Sequence, residues 1–286
     1  MSERRGTRGI LNPVAGLQRF RLNRFEPCAA LAPFVDWYWV VRWDLPEEAA
    51  PFEQEVLPHP CVNLAIEARG SAIHGVFTRR TVAKLSGRGR VVAAKFVPGG
   101  FQPFIGLPMS GLRARVVPLA TAFGRGSGSL VKRVLACADD RRAARLIEAF
   151  LLQRLPTAAD ASRELATSLV ARVTADQALR RTEELARLAG MSVRSLRRLF
   201  REYIGVAPKW VIQRARMHEA AERVASGASN GWARLALELG YHLLERGPVD
   251  GGASTIRPVP PSSSAAHVAT TGRSRPAPRR PAGRRS

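Results

Sequence analysis

The sequence predicts an α+β protein in which a β-rich N-terminal domain, barrel- or sandwich-like, precedes an all-α domain built on a helix-turn-helix. Three observations predict this fold class. Short apolar runs separated by Pro and Gly fill 25–123, and apolar residues recur every three or four positions over 130–178. Two amphipathic segments flank a single glycine within 183–203. The ends of the chain show neither pattern, so 1–24 is predicted to be a disordered basic arm and 242–286 a disordered Pro/Arg/Ser-rich tail.

Charge and cysteine usage narrow the class of protein. The net charge of +22 favours a polyanionic partner, of which nucleic acid is the commonest. Cys28, Cys61 and Cys137 are dispersed and odd in number, so we expect no disulfide framework and a reducing cytoplasm. No apolar run approaches the roughly 18 to 20 residues of a membrane span, and no secretory signal opens the chain. We therefore predict a cytoplasmic protein with no membrane partner.

The β-rich part of the chain shows little that indicates catalysis. His59, Cys61 and His74 are the metal-site candidates, but His59 lies between two prolines in a turn and Cys61 begins a strand as a small core residue. We therefore predict no metal. No nucleophile elbow, Walker loop, Gly-rich dinucleotide turn or HExxH pair occurs, so the chain is predicted to be no enzyme and to hold no cofactor. Arg79 and Arg80 are candidates for an anionic effector, although a solvated loop is favoured.

Aromatic residues and a glycine-rich segment mark the two ends of this part of the chain. The run "VDWYWVVRW" suits a pleated, half-buried strand, and Trp37, Tyr38, Trp39 and Trp43 alternate in facing. At most half of these rings can line a ligand cavity, and core packing is favoured. The stretch "GRGSGS" at 124–129 predicts a flexible joint before the helical connector, in which Pro156 ends the first helical segment.

The sharpest pattern in the chain lies around Gly190. This residue is predicted to form the turn of a helix-turn-helix, because glycine adopts the required conformation at little cost. Leu185 and Ala189 fall on the buried face of the first helix, and Ala186 is small enough for two helices to cross closely. Ser192 is a favourable N-cap for the second helix.

The second helix, predicted over 193–203, has two opposite stripes. The apolar stripe consists of Leu196, Leu199, Phe200 and Tyr203. The basic stripe consists of Arg194, Arg197, Arg198 and Arg201. A guanidinium group can pair in two-pronged fashion with the guanine edge or hold a phosphate, so the basic stripe indicates double-stranded DNA as a partner.

A recognition helix places its N-terminal residues at the edges of bases. Arg194 and Arg197, with Ser192 and Ser195 nearby, are therefore predicted to read bases, and the other two arginines of the stripe to hold phosphates. A charged stripe on an amphipathic helix is ordinarily a solvated face. Here the stripe has one sign and follows a glycine turn in a strongly basic chain, which favours DNA reading.

A long helix and a partial repeat follow this unit. Pro208 suits the first turn of a linker helix over 208–225, which would be roughly 27 Å long at 1.5 Å per residue. That length is near the spacing of about 34 Å between successive major-groove sites. The stretch "NGWARLALELGY", at 230–241, repeats the first half of the motif, with Gly240 placed 50 residues after Gly190.

These residues resemble a known family. The segment "LARLAGMSVRSLRRLFREYIGVAPKWVIQRARMHEAAERVA" is similar to the first unit and linker of AraC/XylS-type bacterial transcription regulators, and "WARLALELGY" to the opening of their second unit. The resemblance implies a DNA-binding domain over 180–241, made of two helix-turn-helix units joined by a long helix. It also implies RNA polymerase as a partner if the protein is an activator.

The N-terminal half shows a less specific resemblance. The stretches "LAPFVDWYW", "VLPHPCVNLAI" and "VAAKFVPGGFQPFIGLP" look like a sensor-type domain that precedes the DNA-binding domain in a subset of these regulators, over roughly 25–155. The resemblance implies that this domain senses a small-molecule effector or forms a homodimer.

The sequence departs from the family after Tyr241. The family pattern has a second recognition helix that ends in a Gly-x-x-Pro turn, whereas this chain has Gly247-Pro248 and low-complexity sequence. A frameshift in the gene is the favoured explanation. The others are a protein with one reading unit and a basic tail, and a tail that folds on DNA. We expect 230–241 not to complete a helix-turn-helix.

The sequence thus predicts a sequence-specific transcription regulator that reads the major groove through the helix at 193–203. Three alternatives stay open: a non-specific nucleic-acid-binding protein that depends on phosphate contacts, a degenerate regulator that has lost specific DNA binding, and a metal-dependent enzyme built on a β-barrel.

Overall fold

The computed structural model describes residues 13–79 and 81–225. The predicted second unit at 230–241 and the predicted tail at 242–286 lie outside the described residues, as does the first half of the predicted arm. Eight strands come first and most of the helices follow. The strands are β1 (Phe20–Phe25), β2 (Val35–Asp44), β3 (Phe52–Val56), β4 (Asn63–Glu67), β5 (Ala72–His74), β6 (Thr81–Leu85), β7 (Arg88–Phe96) and β8 (Val116–Pro118).

The helices fall into three groups along the chain. Short helices accompany the strands: α1 (Pro13–Leu17), α2 (Gln102–Ile105), a 3-10 turn (Met109–Leu112) and α3 (Leu119–Phe123). The connector helices are α4 (Ser127–Ala136), α5 (Asp140–Leu152) and α6 (Ala161–Ala175). The last group is α7 (Thr182–Leu188), α8 (Val193–Tyr203) and α9 (Pro208–Ala225). A β-rich region followed by a helical one confirms the predicted α+β class.

The eight strands form two separate sheets. Six of them make one antiparallel sheet in the order β1-β2-β7-β4-β5-β8, and β3 pairs with β6 in a two-stranded ribbon. The start of the large sheet differs from expectation, because 13–24, predicted to belong to a disordered arm, form α1 and most of β1. The arginines of "FRLNRF" obscured the alternation that places Phe20 and Leu22 on one face of the sheet, where Phe20 is buried and Leu22 half-buried.

One face of the large sheet forms the core with the connector helices. Tyr38 and Val40 of β2 are buried on this face, together with Val92, Ala94 and Phe96 of β7. Burial, with the negative charge of Glu148 nearby, raises the pKa of the Tyr38 hydroxyl. Trp37 and Trp39 are half-buried on the opposite face. The predicted alternation of these rings is confirmed.

The connector begins earlier than its sequence indicated. Residues 127–129, predicted to be part of a flexible joint, are the first turn of α4. The Ser127 side chain is buried and its Oγ donates to the Gly124 carbonyl at 2.8 Å, which holds the turn. A further break separates α4 from α5, because Cys137 is extended and Asp139 caps α5 by accepting from the Arg142 amide at 2.6 Å.

The connector helix α6 packs against the β-rich part of the chain. Arg163 of α6 is buried, and its guanidinium donates to the Pro33 carbonyl at 3.1 Å and lies over the Phe34 ring. Thr167 donates to the Pro98 carbonyl at 2.7 Å. In the part of the chain that the structure describes, no helix is long and apolar enough to cross a membrane.

Candidate nucleic-acid interface

The turn between α7 and α8 has the predicted geometry. Gly190 has φ of 62°, in the left-handed region that favours glycine. Its amide donates to the Arg187 carbonyl at 3.1 Å, and the Met191 amide donates to Ala186 at 3.0 Å. Leu185 is completely buried and Ala189 is half-buried against the core, on the face that the sequence predicted, and Ala186 is buried beside them.

Each of the two helices has a side-chain oxygen at its N-terminus. A Glu184 carboxylate oxygen accepts from the Arg180 and Arg181 amides at 3.1 and 3.2 Å, and these hydrogen bonds lower the pKa of Glu184. Ser192 caps α8, because its Oγ accepts from the Ser195 amide at 3.1 Å, and the two hydroxyls lie 3.0 Å apart. The predicted cap is therefore confirmed.

The apolar stripe of α8 packs inward. Leu196 and Phe200 are completely buried, and Leu199 and Tyr203 are half-buried. Burial raises the pKa of Tyr203, and so does the negative charge of nearby Asp160, the residue that caps α6. Helix α8 is thus held in place from its inner face.

The basic stripe of α8 points outward. All four of its side chains are exposed: Arg194, Arg197, Arg198 and Arg201. Among the described residues none of the four forms an ion pair or a hydrogen bond through its guanidinium group. Because a guanidinium presents five N–H donors, the stripe is a row of unused donors of a single charge. This arrangement fits a phosphate backbone and the guanine edge.

The C-terminal end of α8 rests on the β-rich part of the chain. Gly205 has φ of 86°, and its amide donates to the Phe200 carbonyl at 2.8 Å. A methyl group added at this glycine would stand 2.7 Å from the Met109 carbonyl oxygen in the 3-10 turn. Only a residue without a side chain permits this approach, so Gly205 sets how closely α8 packs.

Helix α9 makes a second contact with the β-rich part, which we call the linker contact: Trp210, Arg214 and His218 of α9 against Pro58, His59 and Thr78. Trp210 Nε1 and an Arg214 guanidinium nitrogen donate to the Thr78 carbonyl at 3.4 and 3.1 Å. His218 Nε2 lies 3.2 Å from the Pro58 carbonyl oxygen, and its ring stacks on His59.

Sequence reasoning missed the linker contact and used α9 only as a spacer of a given length. The signal was present, since Trp210, Arg214 and His218 recur every four residues and therefore share one face of the helix. It also missed Arg216, which is buried and donates to the Val173 carbonyl at 2.6 Å and to Glu219 at 2.8 Å.

The remaining sequence candidates are placed as follows. Arg79 is exposed beside the linker contact, and Arg80 lies outside the described residues. Cys61 is buried, as predicted, and burial raises the pKa of its thiol; His74 is half-buried, and burial lowers its pKa. Within 13–79 and 81–225, no three His, Cys, Asp or Glu side chains gather as metal ligands would.

Two family models match regions of this chain. Residues 185–246 match a family model described as a helix-turn-helix domain, and residues 23–118 match one described as a domain of unknown function, DUF6597. A comparison with curated proteins gave no match. The 1.65 Å structure of ToxT from Vibrio cholerae is similar over 78% of this chain and 90% of that chain, at 10% identity and a TM-score of 0.31. A TM-score this low supports no conclusion about function.

The helix-turn-helix match, with the glycine turn and the capped α8 at its start, defines a DNA-binding transcription regulator. The chain has an AraC-type helix-turn-helix domain behind a β-rich domain of unknown function. The helix-turn-helix family is one of DNA-binding domains rather than of enzymes. The match extends to residue 246, past the described residues.

Proposed function

We propose that this chain is a sequence-specific transcription regulator whose helix α8 reads the major groove. The observation that supports the proposal best is the basic stripe: four exposed arginines on the second helix of a glycine-turn pair, without partners among the described residues. The opposite face of the same helix is buried, so the stripe cannot turn inward. A helix held in this way presents its donors to DNA at low entropic cost.

Within the stripe, position along α8 separates two roles. Arg194 and Arg197 lie toward the N-terminal end of the helix, which enters the groove, and we assign them to base edges. Arg198 and Arg201 are assigned to phosphates. Ser192 and Ser195 complete the DNA-contacting set at the same end of α8, where their hydroxyls already hold the cap.

The rest of the chain is assigned around this helix. We propose that 25–123 is a sensor-like domain for a small-molecule effector or a homodimer contact, that 130–178 connects it, and that 180–241 binds DNA. The linker contact supports this division, because it joins loops of the β-rich part to α9 directly. RNA polymerase is a partner if the protein activates transcription. We also propose a cytoplasmic location, because the chromosome that the protein would bind lies there.

A nuclease footprint on the DNA upstream of the protein's own gene, titrated against random competitor DNA, tests the proposal. A protected patch of about half a turn to one turn that survives competitor is the expected result for one reading helix. Protection across two adjacent grooves would show a second reading unit, in a dimer or in the C-terminal segment. If this fragment is not protected, the same titration on genome-wide fragments is the next step.

The second candidate function is non-specific coating of nucleic acid, which the net charge of +22 favours. Phosphate contacts alone provide no sequence preference, and their strength falls steeply with salt. Binding that random competitor abolishes on every fragment would identify this function and contradict sequence-specific regulation.

A further inference from the structure

An open cavity of about 590 Å³ lies where β1 and β2 meet the start of α5. The side chains that matter to its chemistry are Arg21, Asn23, Arg42, Asp139, Asp140 and Arg141. Its volume lies within the range of small-molecule sites. Its lining is polar, unlike that of a cavity for an apolar effector. The kind of ligand that it can bind therefore depends on which of these charges already have partners.

Three arginines stand in one row across the sheet beside this cavity. Arg21 of β1 lies directly opposite Arg42 of β2, which lies directly opposite Arg90 of β7. Side chains opposite each other on neighbouring strands share a face and stand close together, and like charges in such pairs are unfavourable. The row therefore requires compensating negative charge.

Arg42 and Arg90, the inner two members of the row, have partners that offset their positive charge. Arg90 donates to the Val134 and Cys137 carbonyls at 2.6 and 2.5 Å, at the end of α4. Arg42 donates through Nε to Asp140 at 2.8 Å and through a terminal nitrogen to the Ala138 carbonyl at 2.6 Å. Burial and the nearby charge of Arg42 lower the pKa of Arg90.

The outer cations of the cavity have no such partner. Among the described residues, Arg21 and Arg141 form no ion pair; the Arg141 guanidinium lies only over the Phe25 ring. Of the two carboxylates nearby, Asp140 is paired with Arg42 and also accepts from Asn23, at 3.0 Å. Asp139 accepts from the neutral Arg142 amide and keeps its negative charge. Arg21 and Arg141 therefore face the cavity without a paired counter-ion, and with Asp139 the three groups have a net positive charge.

The cavity also lies away from the DNA-reading helices. The first residues of β2 follow the Pro33 carbonyl to which Arg163 of α6 donates, and α6 in turn meets Tyr203 of α8. Arg42 is seven residues further along the strand than Val35, roughly 23 Å at 3.3 Å per residue. This separation favours a ligand other than the DNA that α8 reads.

We propose that this cavity is a binding site for a dianionic phosphate group, supplied by inorganic phosphate or by the phosphate ester of a small molecule. A phosphate monoester has a charge of about −1.5 to −2 at pH 7, which suits the two guanidinium groups of Arg21 and Arg141. The planar fork of arginine suits phosphate oxygens in two-pronged contacts. The bound anion also compensates the charge of Arg21, the outer member of the row. The site is independent of sequence reading by α8.

Thermal unfolding and calorimetric titration of the full chain test this site, with inorganic phosphate and glycerol 3-phosphate as probes and sodium chloride to match ionic strength. Phosphate is expected to raise the unfolding temperature of the wild type, because a ligand that binds only the folded state stabilises it. Arg21→Ala and Arg141→Ala are each expected to weaken phosphate binding on the order of tenfold, the loss of one charged hydrogen bond.

The matched control is Arg145→Ala, which removes the same charge from an exposed position of α5 outside the cavity and should bind phosphate as the wild type does. Without phosphate, Arg21→Ala should unfold at a temperature no lower than the wild type, because it relieves the pair with Arg42. That result separates lost binding from lost folding.

The results of these measurements decide whether the cavity binds phosphate and which compound supplies the phosphate group. Tighter binding of glycerol 3-phosphate than of phosphate identifies a small-molecule ester, and equal binding identifies free phosphate. The proposal is wrong if Arg145→Ala loses as much affinity as Arg21→Ala, or if Arg21→Ala/Arg141→Ala is still stabilised by phosphate. It is also wrong if Arg21→Ala weakens binding of a short DNA duplex as strongly as it weakens phosphate binding, because the cavity would then belong to the DNA surface.

Discussion

The imidazole rings of His59 and His218 are stacked, with their centroids 4.2 Å apart and 21° between their planes. His59 lies in the loop between β3 and β4, and His218 lies on the helix that follows the DNA-reading pair. Together with Trp210 and Arg214, which donate to Thr78, this stack orients the DNA-binding region on the β-rich part. Any ligand that moves these loops would therefore also move α9.

The first prediction concerns the linker contact. Arg214→Ala should lower the free energy of unfolding by about 1.5 kcal/mol, because it removes a charged hydrogen bond to the Thr78 carbonyl. It should also speed backbone hydrogen exchange in the loop between β5 and β6. The control is Arg133→Ala, at an exposed position of α4. Unchanged exchange in this loop would show that the contact does not stabilise it.

The second prediction separates base reading from phosphate contact on α8. Arg197→Ala should cost about 1–3 kcal/mol on the preferred site and relax the preference at one base pair. Arg201→Ala should weaken binding to all sequences alike and reduce the salt slope by about one. Competition binding over a range of salt measures both, with Arg133→Ala as the control. Equal, uniform losses from both variants would contradict the assignment.

The third prediction compares two glycines with left-handed backbones. Gly190→Ala should cost about 1 kcal/mol from backbone strain alone, because open space surrounds that position. Gly205→Ala should cost about 3 kcal/mol, because its new methyl group would also press on the Met109 carbonyl. Urea unfolding of the two variants gives the difference. Similar losses would show that α8 can shift away from the 3-10 turn.

The fourth prediction concerns pH and Asp140. Burial opposes its ionisation, but hydrogen bonds from Arg42 and Asn23 outweigh burial and lower the pKa of Asp140. The unfolded chain therefore holds this proton more tightly than the folded protein, and acid removes the stabilisation. Asp140→Asn should lower the free energy of unfolding by about 2 kcal/mol at pH 7. The difference in unfolding free energy between the variant and the wild type should shrink below about pH 4.

Urea unfolding at pH 7 and pH 3.5 measures this gap. Asp44→Asn, at an exposed position of β2, is the matched control and should change stability little at either pH. A gap that stays constant between the two pH values would show that the Asp140 carboxylate does not stabilise the join between the sheet and α5.

The helix-turn-helix was predictable because its signals are local. A glycine in the turn, a serine at the cap and stripes of helical period all lie within twenty-odd residues, and the structure places Gly190, Ser192 and Phe200 as those signals indicate. The DNA-contacting roles within the stripe stay predictions, since they depend on a partner.

Features that depend on distant residues were not predictable in the same way. The linker contact has a visible half, the residues that recur every four positions on α9, but their partners are main-chain oxygens of remote loops, which leave no mark on the sequence. The pairing of β2 with β7 and the row from Arg21 to Arg90 depend on strand order, which local patterns do not specify. The helical start at Ser127 was hidden by glycines that usually indicate loops.

The hydrogen bonds of the linker contact run in one chemical direction, from side chains of α9 to main-chain oxygens of the β-rich part. A carbonyl at position 78 is present whatever side chain that residue has. Substitutions on the two sides of the contact therefore have unequal effects. A substitution of Thr78 keeps the carbonyl that accepts the hydrogen bonds, whereas a substitution of Trp210 or Arg214 removes a donor. A different β-rich domain whose loops follow the same path could replace this one without changes to α9.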